Sequence, residues 1–247
     1  MRESNRETRK ELLELVSALK AHVVSSEEPK GLRNITYRAN DTQRGSEMMI
    51  EVQAEGETGA AYPRARRLED IRLELGDCRR CDLHRTRKNL VFGEGSPEAE
   101  LVFVGEAPGE NEDIQGKPFV GRAGHLLTRI IEAMGLTRSN VYICNILKCR
   151  PPGNRNPRPE EIHICEPFLI QQLQAIRPKV VCAMGTFAAK TLLQTEMPIS
   201  KLRGRFHAYQ GIDLMPTYHP AYLLRNPGGK KLVWSDMQMI MELLGKK

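Results

Sequence analysis

Four cysteines are the residues in this sequence whose spacing most directly suggests chemistry. Cys78 and Cys81 are separated by two residues, which lets both thiolates reach one metal centre. Cys149 and Cys165 flank a basic loop further along the chain. A CxxC pair with two more cysteines predicts either a zinc site or an iron–sulfur cluster, and the spacing alone does not separate the two.

The other two cysteines, Cys144 and Cys182, lie inside apolar runs, where cysteine usually packs as a small hydrophobic residue. We therefore leave both out of the metal site. The N-terminus lacks the apolar core of an export signal, so metal ligands or buried thiols are favoured over disulfides. A cytoplasmic protein without a membrane partner is expected, because no apolar run approaches the roughly 18–20 residues of a membrane span.

A glycine-rich run over residues 105–124 is the second candidate site. It follows the apolar segment 101–104, which predicts a buried strand, and it precedes apolar residues at helical spacing over 124–134. Ligands bind at the C-terminal ends of strands in open α/β sheets, so the run predicts a ligand site. The side chains in this run that could take part in catalysis or ligand binding are Glu106, Glu112, Asp113 and Phe119.

Strands alternating with helices must position these residues. Apolar runs predict four strands, at 100–105, 141–147, 180–185 and 212–218, with helices at 68–76, 124–134, 160–176, 186–194 and 231–244. The alternation predicts an α/β fold with a mostly parallel, four-stranded sheet covered by helices on both faces. Residues 1–67 are predicted to be an N-terminal extension, with a helix over 6–24 and then a disordered linker.

Three of the predicted strands lead into polar side chains. The first leads to Glu106, the second reaches Asn145, and the fourth delivers His219. The ends of parallel strands converge on one edge of a sheet, so these groups should meet near Phe119. An aromatic ring stacks on a base and an amide reads its hydrogen-bonding edge, so the group fits a hydrolytic pocket that recognises a nucleobase.

Basic residues favour a polyanionic partner. The formal charge of the chain is +6, and the basic excess lies after residue 70. The loop over 148–158 carries four basic residues, and Arg150 and Arg155 are expected to contact phosphates there.

The motifs together resemble those of the family 4 uracil-DNA glycosylases. The run 105–124 is similar to the first motif of that family, and segments 148–155 and 219–225 are similar to its later motifs. Their order and the four cysteines agree over about residues 68–244. The resemblance implies that residues 68–247 form a glycosylase domain, a three-layer α/β/α sandwich with a 4Fe-4S cluster on Cys78, Cys81, Cys149 and Cys165.

The same resemblance implies an activity. Such an enzyme hydrolyses the N-glycosidic bond of deoxyuridine in single- or double-stranded DNA and leaves an abasic site, which begins base-excision repair. We expect a monomer, with a repair or replication partner contacting the N-terminal extension. Two other functions stay open, a non-catalytic DNA-binding module with a structural four-cysteine metal site and an iron–sulfur redox protein.

The resemblance also implies residue roles. Phe119 would stack on the flipped uracil, Asn145 would read its edge, and His219 would stabilise negative charge on O2. The backbone around Gly105 and Ala107 would add contacts to the base.

The carboxylate that acts on the attacking water is left open by the sequence. The best-known branch of the superfamily uses an aspartate that matches Ala107 here. Glu106, Glu112 and Asp113 are therefore the alternatives, with Glu112 expected to position the water and Glu106 to assist.

The segment 219–225 is expected to contact DNA beside the flipped nucleotide. Leu223, Leu224 or Tyr222 would fill the gap that the nucleotide leaves, because a plug in the base stack helps to hold the extrahelical state. Arg225 would bind a phosphate.

Overall fold

The computed structural model describes residues 67–246, and the helix and linker predicted before residue 67 lie outside this range. Within it, six strands form one sheet in the order β1-β3-β2-β4-β6-β5. The strands are β1 (Glu94–Gly95), β2 (Leu101–Gly105), β3 (Tyr142–Asn145), β4 (Val180–Met184), β5 (His207–Tyr209) and β6 (Ile212–Thr217).

Helices connect and cover these strands. None of the helices within residues 67–246 is both long and apolar enough to cross a membrane. They are α1 (Leu68–Leu75), α2 (Glu110–Gln115), α3 (Arg122–Ala133), α4 (Pro159–Ile176), α5 (Thr186–Leu193), α6 (Ile199–Leu202), α7 (Pro220–Arg225) and α8 (Lys230–Leu243).

The four central strands are the four that the sequence predicts. β3, β2, β4 and β6 pair in parallel, which confirms the α/β class. The short strands β1 and β5 add an antiparallel pair at each edge, so the sheet has six strands rather than four. β1 consists of two exposed residues and therefore carries no apolar pattern that could reveal it.

Each face of the sheet has its own core, because successive residues of a strand point to opposite sides. On one face Val102 packs in the same cluster as Leu173 of α4. On the other face Phe103 packs with Ile131 of α3 and Met237 of α8. Helices therefore cover both faces, and the three-layer sandwich is confirmed.

Two short helices lie where the sequence predicts none. α2 lies inside the glycine-rich run, between Gly109 at its N-cap and Gly116, whose φ of +68° ends it in the left-handed conformation. Acidic residues in its first turn stabilise this helix, because they lie at the positive end of the helix dipole. Its sequence is polar and has no apolar stripe that would predict a helix. α7 begins with Pro220 directly after His219, a favoured first position for proline.

A buried ion pair fixes the end of β6 against α8. The Asp236 carboxylate is fully buried and accepts hydrogen bonds from Arg203 Nε at 3.1 Å and Nη2 at 2.6 Å. It also accepts one from Thr217 Oγ1 at 2.6 Å. Thr217 is the last residue of β6, so this contact holds the strand end that leads into His219.

Candidate active site

The centre of the site is the contact between the ends of β2 and β3. Gly105 and Asn145 lie opposite each other in the parallel pair. A Cβ atom at position 105 would lie 2.4 Å from Asn145 Oδ1 and 2.6 Å from Cζ of Phe119. Only glycine leaves room for both groups, so the structure brings these three residues together at the C-terminal edge of the sheet.

The backbone around Phe119 is held from two sides. Phe119 has a φ of +52°, in the left-handed region that non-glycine residues rarely adopt. A Cβ atom at Gly124 would lie 1.9 Å from the Phe119 carbonyl oxygen. Arg138 donates to that oxygen at 3.1 Å and to the Pro118 oxygen at 2.7 Å. Arg138 stands outside the glycine-rich run, so no motif in the sequence pointed to it.

Asn145 carries a buried acceptor without a partner. Its side chain is 1% exposed, and Oδ1 has no hydrogen-bond partner among residues 67–246. Leaving such a group unpaired costs about 1–3 kcal/mol, so its presence calls for an explanation. A ligand that brings an N–H group beside Phe119 would satisfy this oxygen.

His219 completes the aromatic side of the site. Its ring lies 5.5 Å from that of Phe119, centroid to centroid, at an angle of 32°. Nδ1 accepts the backbone N–H of Ala221 at 3.0 Å, so a neutral ring carries its proton on Nε2. Burial, and then the charge of Arg225, lower the pKa of His219 to about 4, while Glu112 opposes the shift. The ring is therefore a neutral N–H donor at pH 7.

Glu106 has the opposite shift for the same physical reason. It follows Gly105 directly, and burial raises the pKa of its carboxyl group to about 7. A carboxylate and an imidazole whose pKa values are displaced in this way are typical of an active site. Ala107 comes next and packs partly buried against the core on the α4 side of the sheet.

The other two predicted carboxylates bind backbone groups. Glu112 Oε1 accepts the N–H groups of Val120 at 2.8 Å and Gly121 at 2.9 Å. Asp113 is 1% exposed, and its Oδ1 accepts the N–H groups of Lys88 at 2.8 Å and residue 89 at 3.2 Å. Glu112 thus clamps the loop after Phe119, and Asp113 anchors a neighbouring segment.

The two leucines of the segment 219–225 differ in their exposure. Leu223 is 1% exposed and packs in the core, so its side chain lies away from the surface that its predicted DNA contact requires. Leu224 is 36% exposed, and Arg225 is exposed as well. Tyr222 is exposed and stacks on Tyr218 at 4.9 Å between ring centroids.

The two arginines of the basic loop that are expected to contact phosphates, Arg150 and Arg155, make contacts within the protein. Arg150 donates from Nε to Asn154 Oδ1 at 2.7 Å. Arg155 donates to both carboxylate oxygens of Glu161, at 2.9 Å and 2.5 Å. These bonds brace the loop, so both guanidinium groups are already held in place.

The four predicted cysteine ligands line one pocket. Its other lining residues are mostly apolar, among them Leu75 and Phe168. Three of the four sulfurs accept N–H groups at 3.3 Å, from Arg80, Arg87 and the backbone of Lys148. Within the described range, no group of three His, Cys, Asp or Glu side chains is arranged to hold a metal ion. The lining cysteines are Cys78, Cys81, Cys149 and Cys165, while Cys144 and Cys182 are buried in strands β3 and β4.

Comparison with known proteins places this fold and site in a class. The family model of the uracil DNA glycosylase superfamily matches residues 92–238, a range that includes Phe119, Asn145 and His219. The chain is 47% identical to the type-4 uracil-DNA glycosylase of Archaeoglobus fulgidus over 188 residues, which cover 73% of this chain and 94% of that protein.

Two further relatives carry the same name. The type-4 uracil-DNA glycosylase of Saccharolobus solfataricus is 45% identical, over 73% of this chain and 88% of that protein. The one from Thermotoga maritima is 42% identical, over 75% of this chain and 99% of that protein. The chain therefore belongs to the uracil DNA glycosylase superfamily, and within it to the type-4 uracil-DNA glycosylases.

We expect Gly105→Ala to inactivate the site without unfolding the protein. The new Cβ would collide with the Asn145 amide and the Phe119 ring, and a displacement of about 1 Å can cost a hundredfold in rate. Cleavage of a uracil-containing oligonucleotide in a single turnover measures the loss. Gly228→Ala is the matched control, because a Cβ there meets nothing within 4 Å. Equal rates for the two variants would contradict the role of this contact.

Proposed function

We propose that this chain is a DNA repair glycosylase that hydrolyses the bond between C1′ of deoxyribose and N1 of uracil, leaving an abasic site. The observation that carries the proposal is the buried, unpaired Oδ1 of Asn145 beside Phe119. The N3–H group of uracil supplies the missing donor, and Asn145 Nδ2 donates to O4. Cytosine presents an acceptor at N3 and a donor at position 4, so it would leave buried groups unpaired.

The base must leave the helix to reach this pocket. Flipping costs a few kcal/mol, and stacking on Phe119 offsets part of that cost. Tyr222, Leu224 and Arg225 are the exposed residues of α7, and Tyr222 is already stacked on Tyr218, so Leu224 fills the gap in the base stack and Arg225 binds a phosphate. Arg150 and Arg155 hold the basic loop in shape beside the DNA backbone.

Bond cleavage places negative charge on uracil O2. His219 donates its Nε2–H to that oxygen, and its orientation is preset by the Ala221 N–H on Nδ1. A fixed donor of this kind stabilises charge as it develops in the transition state. Because the ring is neutral at pH 7, it donates a hydrogen bond and keeps its proton.

Glu106 acts on the attacking water. As the C1′–N1 bond breaks, its electron pair moves into the uracil ring, and water oxygen bonds to C1′. The water proton passes to the Glu106 carboxylate, whose pKa near 7 suits a general base at neutral pH. Glu112 supports the reaction by holding Val120 and Gly121, since its Oε1 is occupied by their N–H groups.

The pH dependence of the single-turnover rate tests the role of Glu106. Its raised pKa means that the carboxylate form is lost as pH falls through about 7, so the rate should fall there. Glu106→Gln should lower the rate at pH 8 by roughly 10²–10⁴-fold and should abolish the decrease in rate near pH 7. Asp113→Asn is the comparison variant, and its rate should still decrease near pH 7. If the rate of Glu106→Gln still decreases near pH 7, another group accepts the proton of the attacking water.

We also propose that Cys78, Cys81, Cys149 and Cys165 bind a 4Fe-4S cluster. The support is the shared pocket, the N–H groups aimed at three sulfurs and the apolar lining. Four cysteines in one pocket are a donor set that either zinc or an iron–sulfur cluster would accept, and the resemblance to the family favours the cluster. When bound, the cluster supplies no step of the reaction and ties the basic loop to the segment around Cys78.

Metal analysis of the purified protein tests this cofactor. We expect about four irons per chain and no zinc. Burial raises the pKa of Cys149 to about 12, so iron binding must displace a proton from this thiol. Cys149→Ala should lose most of the iron, whereas Cys182→Ala should keep it, because Cys182 is buried in β4 away from the pocket. If the protein contains stoichiometric zinc and no iron, the four cysteines form a zinc site and the cluster proposal is wrong.

A uracil-containing oligonucleotide tests the activity itself. Incubation followed by alkali should cut the strand at the uracil, with single- and double-stranded substrates compared side by side. The same strand with cytosine at that position should stay intact. If iron-loaded protein leaves the uracil-containing strand intact, the protein is better described as a non-catalytic DNA-binding module.

We propose a cytoplasmic monomer that acts on uracil-containing DNA, with a repair or replication partner on the N-terminal extension. The basic excess after residue 70 supports the polyanionic substrate.

A further inference from the structure

Lys148 carries a buried amino group that none of the steps above uses, and burial lowers the pKa of that group. Its side chain is 1% exposed, although lysine is among the residues least often buried. Burying an ammonium group is costly unless its donors are paired. Here Nζ donates to the backbone oxygen of Asn145 at 2.7 Å and to Gln172 Oε1 at 2.7 Å. Both partners are neutral, so the contact is not an ion pair.

The Asn145 oxygen needs this donor because the sheet does not supply one. The N–H group of Ile146 donates to the Gly105 oxygen on the β2 side. Alternate residues direct their backbone groups to opposite neighbours, so the Asn145 carbonyl faces the β1 side. β1 pairs only with residues 142 and 143. Lys148 therefore takes the place of a strand partner at the end of β3.

Gln172 holds the lysine in turn. Its Nε2 donates to the Phe92 oxygen at 2.9 Å and to Tyr142 Oη at 3.2 Å, which leaves Oε1 for Lys148. Gln172 is fully buried on α4, the helix that carries Cys165. The backbone N–H of Lys148 itself donates to Cys165 Sγ at 3.3 Å. Lys148 thus joins the cysteine pocket to the residue that faces the base.

We propose that Lys148 is the positioning residue for uracil recognition, because the N–H donors of its side-chain nitrogen fix the Asn145 peptide and hence the direction of the Asn145 amide. This rests on the proposed function. The amide must meet N3–H and O4 together, so a small rotation of the peptide loses both hydrogen bonds. Binding of the DNA backbone does not depend on that amide.

Lys148→Met tests the proposal, because methionine has a similar length and no donor. In iron-loaded protein we expect the dissociation constant for free uracil to rise about tenfold or more, and the single-turnover rate on uracil-containing DNA to fall by a similar factor. The affinity for a uracil-free oligonucleotide should stay within about twofold. A purely structural lysine would lower yield or melting temperature and leave the uracil affinity of the folded, iron-loaded molecules unchanged.

Tyr142→Phe is the matched control. It removes a hydroxyl group from the same buried network, while Gln172 Nε2 keeps the Phe92 oxygen. Its uracil affinity should match that of the wild type. If Lys148→Met binds free uracil as tightly as Tyr142→Phe does, the proposal is overturned.

A second variant covers the case in which Lys148→Met does not fold. Gln172→Met removes one of the two Lys148 acceptors and should weaken uracil binding about threefold; an unchanged affinity would overturn the proposal as well. Measurements on the wild-type protein distinguish a failure of the proposed function from a failure of the role proposed for Lys148. Wild-type protein that neither binds uracil nor cuts the strand refutes the proposed function, whereas active wild type with unaffected variants refutes only the role of Lys148.

Discussion

The close approach of Gly105 to Asn145 is the constraint on which the rest of the site depends. Parallel pairing sets the two residues opposite each other at the ends of β2 and β3. Since position 105 has no side chain, the Asn145 amide and the Phe119 ring occupy the space beside it. The pocket floor therefore follows from a strand register together with a missing Cβ atom. The positive φ of Phe119 and the Arg138 contacts serve the same arrangement.

Burial shifts the pKa of both groups that we propose take part in the reaction. Burial disfavours charge, so it lowers the pKa of His219 to about 4 and raises that of Glu106 to about 7. The imidazole becomes a neutral donor, and the carboxyl group becomes a base that is available near neutral pH. A water-filled cleft would give neither property. In the proposed mechanism, the low polarity around the strand ends therefore supports both base recognition and hydrolysis.

Several charged side chains support the site through contacts with the protein. Glu112 and Asp113 bind backbone N–H groups, while Arg155 pairs with Glu161. Lys148 is used in a similar way, although it is buried. These residues stand inside or beside the recognisable motifs. Their place in a motif therefore reflects the need to hold loops rigidly as well as the chemistry itself.

The sequence by itself determined the class of fold, the four parallel strands and the set of residues at their ends. Apolar periodicity reports which segments are buried, and the motif order reports the family, because both are local properties of the chain. The edge strands and the helix α2 could not be predicted from the sequence, because they have no apolar pattern.

Only the tertiary structure shows which contacts each candidate residue makes. The sequence leaves Glu106, Glu112 and Asp113 as alternatives, and the structure distinguishes them by the burial of Glu106 and by the backbone N–H groups that reach Glu112 and Asp113. Leu223 and Leu224 likewise differ in their exposure. The pairing of Lys148 with Gln172 joins residues on separate elements. Burial and hydrogen bonding between distant segments depend on packing, which no local pattern records.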